Sequence, residues 1–248
     1  MATYACADLH GRLDLYEKIK EYIKPEDNVF FLGDAIDRGP HGVEIMLDIL
    51  KQNNWIYLKG NHEDMMYAGL AKECGLEIPK KDFFDRWENP KYLWYNNGGK
   101  ITETSLKEKF TNKELKDLLI TINDLPLEWL YKNTKGQTIH LSHAGWTPSL
   151  PELADFIWSR EHFLDEQNAA VGWDDDNYYV VHGHTPTQSL SYCSFDHIIG
   201  IAGEICKYGH KIDIDCGAIF NDKVALLDLD TLEPIYFYHK MEEKDGFR

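Results

Sequence analysis

The stretch Gly33-Asp34-Ala35-Ile36-Asp37-Arg38-Gly39 follows an apolar run, Val29-Phe30-Phe31-Leu32, and leads into apolar positions at helical spacing from Val43 to Gln52. A short aromatic and aliphatic run bounded by polar or glycine-containing turns predicts a buried strand. The same succession recurs on either side. Asp8-Leu9-His10-Gly11 follows Tyr4-Ala5-Cys6-Ala7 and precedes a helical pattern from Leu13 to Ile23. Gly60-Asn61-His62-Glu63 follows Trp55-Ile56-Tyr57-Leu58. Strand, polar tip and helix, three times over, is parallel βαβ architecture. The carboxyl ends of such strands share one edge of the sheet, and ligands bind there. Asp8, His10, Asp34, Asn61 and His62 are therefore expected to converge on a single crevice and to form a metal site.

The residue types carry that expectation. Carboxylate, imidazole and amide oxygen together suit Mn, Fe or Zn better than Ca or Cu(I). A central carboxylate such as Asp34 can bridge two ions about 3.5–4 Å apart, as two-metal hydrolases require. Arg38 sits four residues beyond Asp34 on the same tip, where its planar guanidinium could clamp a phosphate. Each motif alone has an ordinary reading: Asp-x-His as a turn or helix cap, Asp-Arg as a surface ion pair. Three such groups in order, each after a predicted strand, outweigh those readings.

The series Asp-x-His-Gly, Gly-Asp-x-x-Asp-Arg-Gly and Gly-Asn-His-Glu resembles the calcineurin-like metallophosphoesterases. More narrowly, it resembles their phosphoprotein-phosphatase (serine/threonine protein phosphatase) branch in its compact bacterial and phage form. The resemblance covers most of the chain, with the best-matched motifs in the first 63 residues. It implies an α/β sandwich of two mixed β-sheets flanked by helices.

The chain has 248 residues, of which 43% are hydrophobic, enough for one large α/β domain over 1–248. No run approaches the roughly 18 apolar residues of a membrane span, and Met1-Ala2-Thr3-Tyr4 running into the first strand predicts no secretory leader. The five cysteines, Cys6, Cys74, Cys193, Cys206 and Cys216, are scattered without a Cys-x-x-Cys, which suits reduced thiols in a cytoplasmic protein. A net charge of −16 argues against a nucleic-acid or membrane surface. A phosphate ester must then be drawn in locally, by metals and a few arginines. Neither a repeat nor a low-complexity segment is present, and the oligomeric state is not legible.

From about 64 to 136 the chain changes character, and a mainly helical insertion over the crevice is expected there, where substrate choice would be made. Met65 to Cys74 extends the helix begun at Asn61, and Pro79-Lys80-Lys81 marks an exposed turn. Phe83, Phe84, Trp87, Tyr92, Trp94 and Tyr95 read as packing before they read as a binding platform. Asn96-Asn97-Gly98-Gly99 is a turn signal, and Trp94 to Gly99 with Thr102 is similar to a signature of the bacterial relatives. Thr111 to Ile122 predicts a helix opened by a Thr111–Glu114 capping box.

Leu127 to Lys132 and Gln137 to Leu141 predict a hairpin around Asn133-Thr134-Lys135-Gly136. The second strand ends in Ser142-His143-Ala144-Gly145, and a further strand, Tyr178 to Val181, delivers His182-Gly183-His184-Thr185-Pro186. Gly183 is expected to break that strand. Ile212-Asp213-Ile214 alternates as a half-exposed strand. With Val224 to Leu229 and Pro234 to Tyr238 it is expected to build a second sheet packed on the first. The tail from Glu242 to Arg248 reads as frayed.

The resemblance assigns roles. It implies two divalent transition-metal ions, Mn foremost with Fe or Zn as alternatives. Asp8 and His10 would hold one, Asn61, His143 and His184 the other, and Asp34 would bridge them. It implies attack at phosphorus by a metal-bridging hydroxide and phosphoryl oxygens held by Arg38 and Arg160. His62 would protonate the leaving oxygen, oriented by Asp37. The ordinary alternative for Arg160 is an ion pair with Glu161, and His182 reads as packing or as support for a ligand. Relatives outside the branch often continue Gly-His-x-His. Pro186 stands there instead, which favours the phosphoprotein-phosphatase branch. Bacterial relatives carry Asp-Thr-Gly where this chain has Asp215-Cys216-Gly217, a departure that touches no ligand. Three functions compete: a phosphatase of phosphoserine, phosphothreonine or phosphotyrosine in proteins, a hydrolase of dinucleoside polyphosphates or other small nucleotides, and a binding protein that keeps the fold without turnover. The last is disfavoured by the presence of every expected ligand and of the acid.

Overall fold

A computed structural model of the chain describes residues 1–78, 89–146, 153–160, 177–190 and 200–239. The three strands that carry the first motifs are β1 (Thr3–Cys6), β2 (Asn28–Phe31) and β3 (Trp55–Tyr57). They pair in parallel, with Ala5 opposite Phe30 and Phe30 opposite Ile56. The crossovers are α1 (Leu13–Tyr22) and α2 (Gly42–Ile49), and α3 (Asn61–Leu70) begins at the third tip. Both faces of these strands are covered, as parallel strands require. Tyr4, Cys6, Val29 and Phe31 pack with Leu15, Ile19, Met46 and Met65 of the helices. Ala5, Ala7, Phe30 and Leu32 face the other way, against Ile139, Leu141, Val181 and Ile212 of a second sheet.

That second sheet has the order β4-β5-β6-β8-β7, where β4 is Glu128–Lys132, β5 Thr138–Ser142, β6 Tyr178–His182, β7 Cys206–Tyr208 and β8 Lys211–Asp213. Strands β5, β6 and β8 are mutually parallel, with antiparallel β4 and β7 at the edges. Their carboxyl ends therefore share an edge too, and it delivers His143, His184 and Asp215. The result is a sandwich of two mixed sheets flanked by helices, as expected.

Two expectations about the C-terminal strands are corrected. First, β9 (Lys223–Asp228) and β10 (Pro234–Tyr238) do not join the second sheet but extend the first, in the order β10-β9-β1-β2-β3. Val224, Ala225, Leu226 and Leu227 are all buried, a run without alternation that needs cover on both faces. The free edge of β1 between helices and second sheet provides it, with Leu227 opposite Ala5. Second, Ile212-Asp213-Ile214 is not half-exposed. Asp213 is fully buried, accepts the Asp215 N–H at 2.9 Å and lies in register with His182.

Within 64–136 lie α4 (Pro90–Asn96), α5 (Lys100–Lys109) and α6 (Asn112–Asn123). The Thr111–Glu114 capping box forms as predicted, with Thr111 N–H on Glu114 Oε2 at 2.9 Å. The segment is not wholly helical, because it ends in the edge strand β4. Trp94 is fully buried in the core and Tyr92 exposed, whereas Phe83, Phe84, Trp87 and the 79–81 turn lie outside the described residues. Short helices α7 (Leu153–Trp158), α8 (Thr187–Leu190) and α9 (Ala218–Asn221) follow. Cys6, Cys206 and Cys216 are buried free thiols and Cys74 is partly buried. Cys193 and the 242–248 tail lie outside the described residues. Among those described, no helix is long and apolar enough to cross a membrane.

Candidate active site

The polar tips are built from strained backbone. Among the described non-glycine residues, Asp8, His10, Asp34, Asp37, Arg38 and His184 have φ of 54°, 44°, 56°, 67°, 64° and 69°, and only Asp222 and Leu232 share that left-handed region without belonging to the predicted site. The conformation costs an L-residue roughly 1–2 kcal/mol and persists where the surroundings enforce it. Here the tips enforce one another. Asp8 N–H donates to Gly33 O at 3.2 Å, His10 N–H to Asp34 O at 2.9 Å and Gly11 N–H to Ala35 O at 2.8 Å. The buried carboxylate of Glu63 adds a brace. It accepts the N–H groups of Asp34 (2.8 Å), Gly60 (3.0 Å) and Ala35 (3.2 Å) and the hydroxyl of Tyr57 (2.6 Å).

Side chains then converge on two points that share one oxygen. Asp34 Oδ1 accepts the His62 backbone N–H at 3.0 Å, which leaves Oδ2 free to face the crevice. Oδ2 lies 3.5 Å from His143 Nε2 and 3.7 Å from His10 Nε2. On the first side, His10 Nδ1 donates to Ile36 O at 2.9 Å, so its Nε2 presents a lone pair, with Asp8 Oδ1 3.9 Å away. On the second side, His143 Nδ1 donates to Leu32 O at 2.6 Å, and Nε2 lies 2.9 Å from Asn61 Oδ1. His184 Nδ1 lies 3.0 Å from the same oxygen. Acceptor atoms facing one another in a dry site are unfavourable without a cation between them, and mixed N/O donors of this kind suit divalent transition metals. The groups His10–Asp34–His62 and Asp34–His143–His184 both meet the spacing of a metal site. His184 is held by its N–H on Asp8 Oδ2 at 2.9 Å, and a Cβ at Gly183 would come within 2.1 Å of that same oxygen, so only glycine fits. Sequence reading expected Gly183 to end the strand, and the close approach to Asp8 supplies the physical reason.

Beside the first cluster stand a histidine–carboxylate pair and an arginine. His62 Nδ1 donates to Asp37 Oδ2 at 2.6 Å, and Arg38 Nη2 donates to His62 Nε2 at 3.1 Å. Arg38 Nη1 donates to His10 Nε2 at 2.8 Å. A cation at that lone pair would displace the guanidinium of Arg38, an exposed residue. Arg160 Nη1 donates to Thr185 Oγ1 at 2.9 Å, next to His184. Glu161, its alternative partner, lies outside the described residues. His182 is buried with Nδ1 donating to Gly183 O at 3.0 Å.

The electrostatics follow from burial and crowding. Burial, then the charges of Asp215 and Asp34, pushes Asp8 well above the usual carboxylate range. Burial also opposes ionisation of Asp34, but the neighbouring imidazoles, His143 foremost, pull it well below that range. Burial, then His62 and Arg38, holds His10 well down, and burial with His143 and Arg160 does the same to His184. His143 goes the other way: burial lowers it, but Asp34 carries it above the ordinary value. Asp215 is pushed up to about 6 chiefly by burial, opposed by the Gly217 N–H.

All ten residues expected at the site are in the described part of the chain; nine lie just beyond strand ends, and Arg160 follows α7 and reaches Thr185 with its side chain. Sequence reading gave no role to Glu63, although it closes the third motif, nor to Asp213 and Asp215, whose charges are felt at Asp8. It also missed the backbone carbonyls of Leu32 and Ile36 that orient two histidines, for which no sequence signal exists.

The family model of the calcineurin-like phosphoesterases matches residues 1–217. The Caenorhabditis elegans serine/threonine-protein phosphatase PP1-delta is 26% identical over 225 residues, spanning 85% of this chain but only 60% of that protein. A putative diadenosine tetraphosphatase shares the fold with a TM-score of 0.60 and 13% identity, over 95% of this chain and 92% of that one. A Saccharomyces cerevisiae serine/threonine phosphatase similar to human PP5 does so with a TM-score of 0.55 and 16% identity, over 99% and 82%.

Proposed function

Because the chain belongs to the calcineurin-like phosphoesterase family, we propose that it is a two-metal phosphatase of phosphoserine and phosphothreonine, and also phosphotyrosine, esters in proteins. Phosphoester hydrolysis and a binuclear divalent centre are properties of the family, and the donor groups fit such a centre. The observation that carries the reading is the position of Asp34 Oδ2, 3.7 Å from His10 Nε2 and 3.5 Å from His143 Nε2. Asp8, His10 and Asp34 would hold one ion, and Asp34, Asn61, His143 and His184 the other. When bound, the ions supply Lewis acidity and an activated water at phosphorus; Mn is the first candidate, with Fe and Zn the alternatives.

The chain's own groups do the rest. Arg38, freed from His10 and His62, turns to the phosphoryl oxygens, and Arg160 approaches from the side of His184. Together they offset the charge that builds in the transition state. With a proton on each ring nitrogen once Arg38 has turned away, His62 delivers the one on Nε2 to the leaving oxygen, while Asp37 holds Nδ1–H and so fixes the ring. The choice of a protein substrate is supported by the resemblance to serine/threonine phosphatases along 85% of the chain and by Pro186. The assay sets phosphoserine and phosphothreonine peptides against a dinucleoside tetraphosphate at matched metal loading. Higher kcat/KM on the peptides is expected, and the reverse order would move the chain to the nucleotide hydrolases.

A further inference from the structure

We infer that Trp94 and Thr102 are positioning residues that fix the His62 ring through Asp37, an inference that rests on the reading of His62 as the acid. Asp37 is fully buried at φ 67°, and its carboxylate takes three donors. His62 Nδ1 lies 2.6 Å from Oδ2, Trp94 Nε1 2.8 Å from Oδ2 and Thr102 Oγ1 2.6 Å from Oδ1. The Thr102 hydroxyl also accepts the Asp37 N–H at 3.0 Å, closing a ring that grips both ends of the residue. Without its two extra donors Asp37 could turn about χ1 and χ2 and carry the imidazole with it.

The turn between α4 and α5 is shaped for this grip. A Cβ at Gly99 would come within 2.2 Å of Trp94 Nε1, so the glycine clears the path of the indole N–H. The preceding carbonyl, Gly98 O, accepts the Arg38 N–H at 3.3 Å. One helical hairpin therefore holds both neighbours of the crevice, Asp37 and Arg38. An ordinary buried tryptophan needs one acceptor for its N–H. It does not need that acceptor to be the carboxylate that also holds the buried His62 ring. Thr102 repeats the choice from the next helix.

A structural role and a positioning role differ in what they predict. A poor leaving group needs a proton as the P–O bond breaks and a good one needs it much less. The test uses chain reconstituted with Mn and compares kcat on a phosphoserine peptide with kcat on nitrophenyl phosphate. Trp94→Phe keeps most of the packing and Thr102→Val keeps the shape. Each should lower the peptide rate about tenfold or more, since a hydrogen bond to a charged group is worth about that, and lower the nitrophenyl rate far less. Metal content and KM should hold, and Thr102→Ser should restore the ratio. In a His62→Asn background neither change should cost more, because residues acting through one group are non-additive. Equal losses on both substrates, or losses that persist beside His62→Asn, would overturn the inference. A leaving-group bias in His62→Asn without one in Trp94→Phe and Thr102→Val would overturn it alone, whereas no bias in His62→Asn would remove the acid as well.

Discussion

Arg38 joins two claims that one pair of substitutions can separate. Its side chain is read as a phosphate clamp, and its backbone sits at φ 64°, where an L-residue is strained. Alanine removes the guanidinium and keeps the strain, while glycine removes both. For activity the two should behave alike. Two charge-assisted hydrogen bonds to phosphoryl oxygens, at roughly 1.5–3 kcal/mol each, amount to a loss of about 10²–10⁴ in kcat/KM. For stability they should differ. Relief of the left-handed conformation is worth roughly 1–2 kcal/mol, and the extra freedom of glycine in the unfolded chain takes back about 0.5–1 kcal/mol. Arg38 is exposed, so neither replacement opens a cavity. Arg38→Gly should then exceed Arg38→Ala by about 0.5–1 kcal/mol, a Tm difference of about 1–4 °C in a chain of this size. Calorimetry of the metal-free proteins and kinetics of the reconstituted ones supply both readouts. An alanine variant with normal kcat/KM would end the clamp assignment, and a glycine variant no more stable than alanine would refute the strain argument.

Glu63→Gln should lower stability by about 1–3 kcal/mol, because one amide nitrogen must face N–H or O–H donors that now meet a carboxylate. It should also weaken Mn affinity about 10–100-fold by loosening Asp34, as read by thermal melts and calorimetric titration. Gly183→Ala forces a Cβ to within 2.1 Å of Asp8 Oδ2, so elemental analysis should find metal lost from the Asp8 side while far-UV circular dichroism stays native. A third expectation concerns pH. Burial opposes the charge of Glu103, but Lys107, Lys91 and Tyr95 together hold it down to about 2. Against an unfolded value of about 4.3, its contribution is fully present above about pH 5 and lost as the pH falls towards 2. Glu103→Gln should therefore cost on the order of 1–3 kcal/mol at neutral pH, and the gap to the unaltered chain should close by about pH 2 in denaturant titrations.

The legible part of this molecule was the part written locally. Asp8, His10, Asp34, Asn61 and His62 each follow a short apolar run, and parallel βαβ units bring such tips to one edge whatever the rest of the chain does. His143 and His184 also follow apolar runs, one sheet later, but it was the family resemblance and not the local pattern that marked them as ligands. Contacts across long stretches of sequence left little local trace. Leu227 pairs with Ala5, and only the unbroken Val-Ala-Leu-Leu run hinted that β9 needed two covered faces. Asp213 alternates with Ile212 and Ile214 as an exposed residue would, yet it is buried beside His182, because periodicity reports polarity and not cover. Trp94 and Thr102 stand 57 and 65 residues from Asp37. Their motif was recognisable, but its target was not, since helical spacing says which residues share a face and not what that face meets.

If Asp34 joins two cation sites, the metal content of the chain must show it. The chain is stripped with chelator, reconstituted with Mn, freed of unbound ion and analysed for Mn per chain beside its phosphatase activity, with Asp34→Asn in parallel. Two ions per chain are expected in the unaltered protein, with activity rising as the second binds, and loss of both the stoichiometry and the activity in Asp34→Asn. One ion or none with full activity, or an Asp34→Asn variant that still holds two ions and turns over normally, would contradict the bridging role of Asp34.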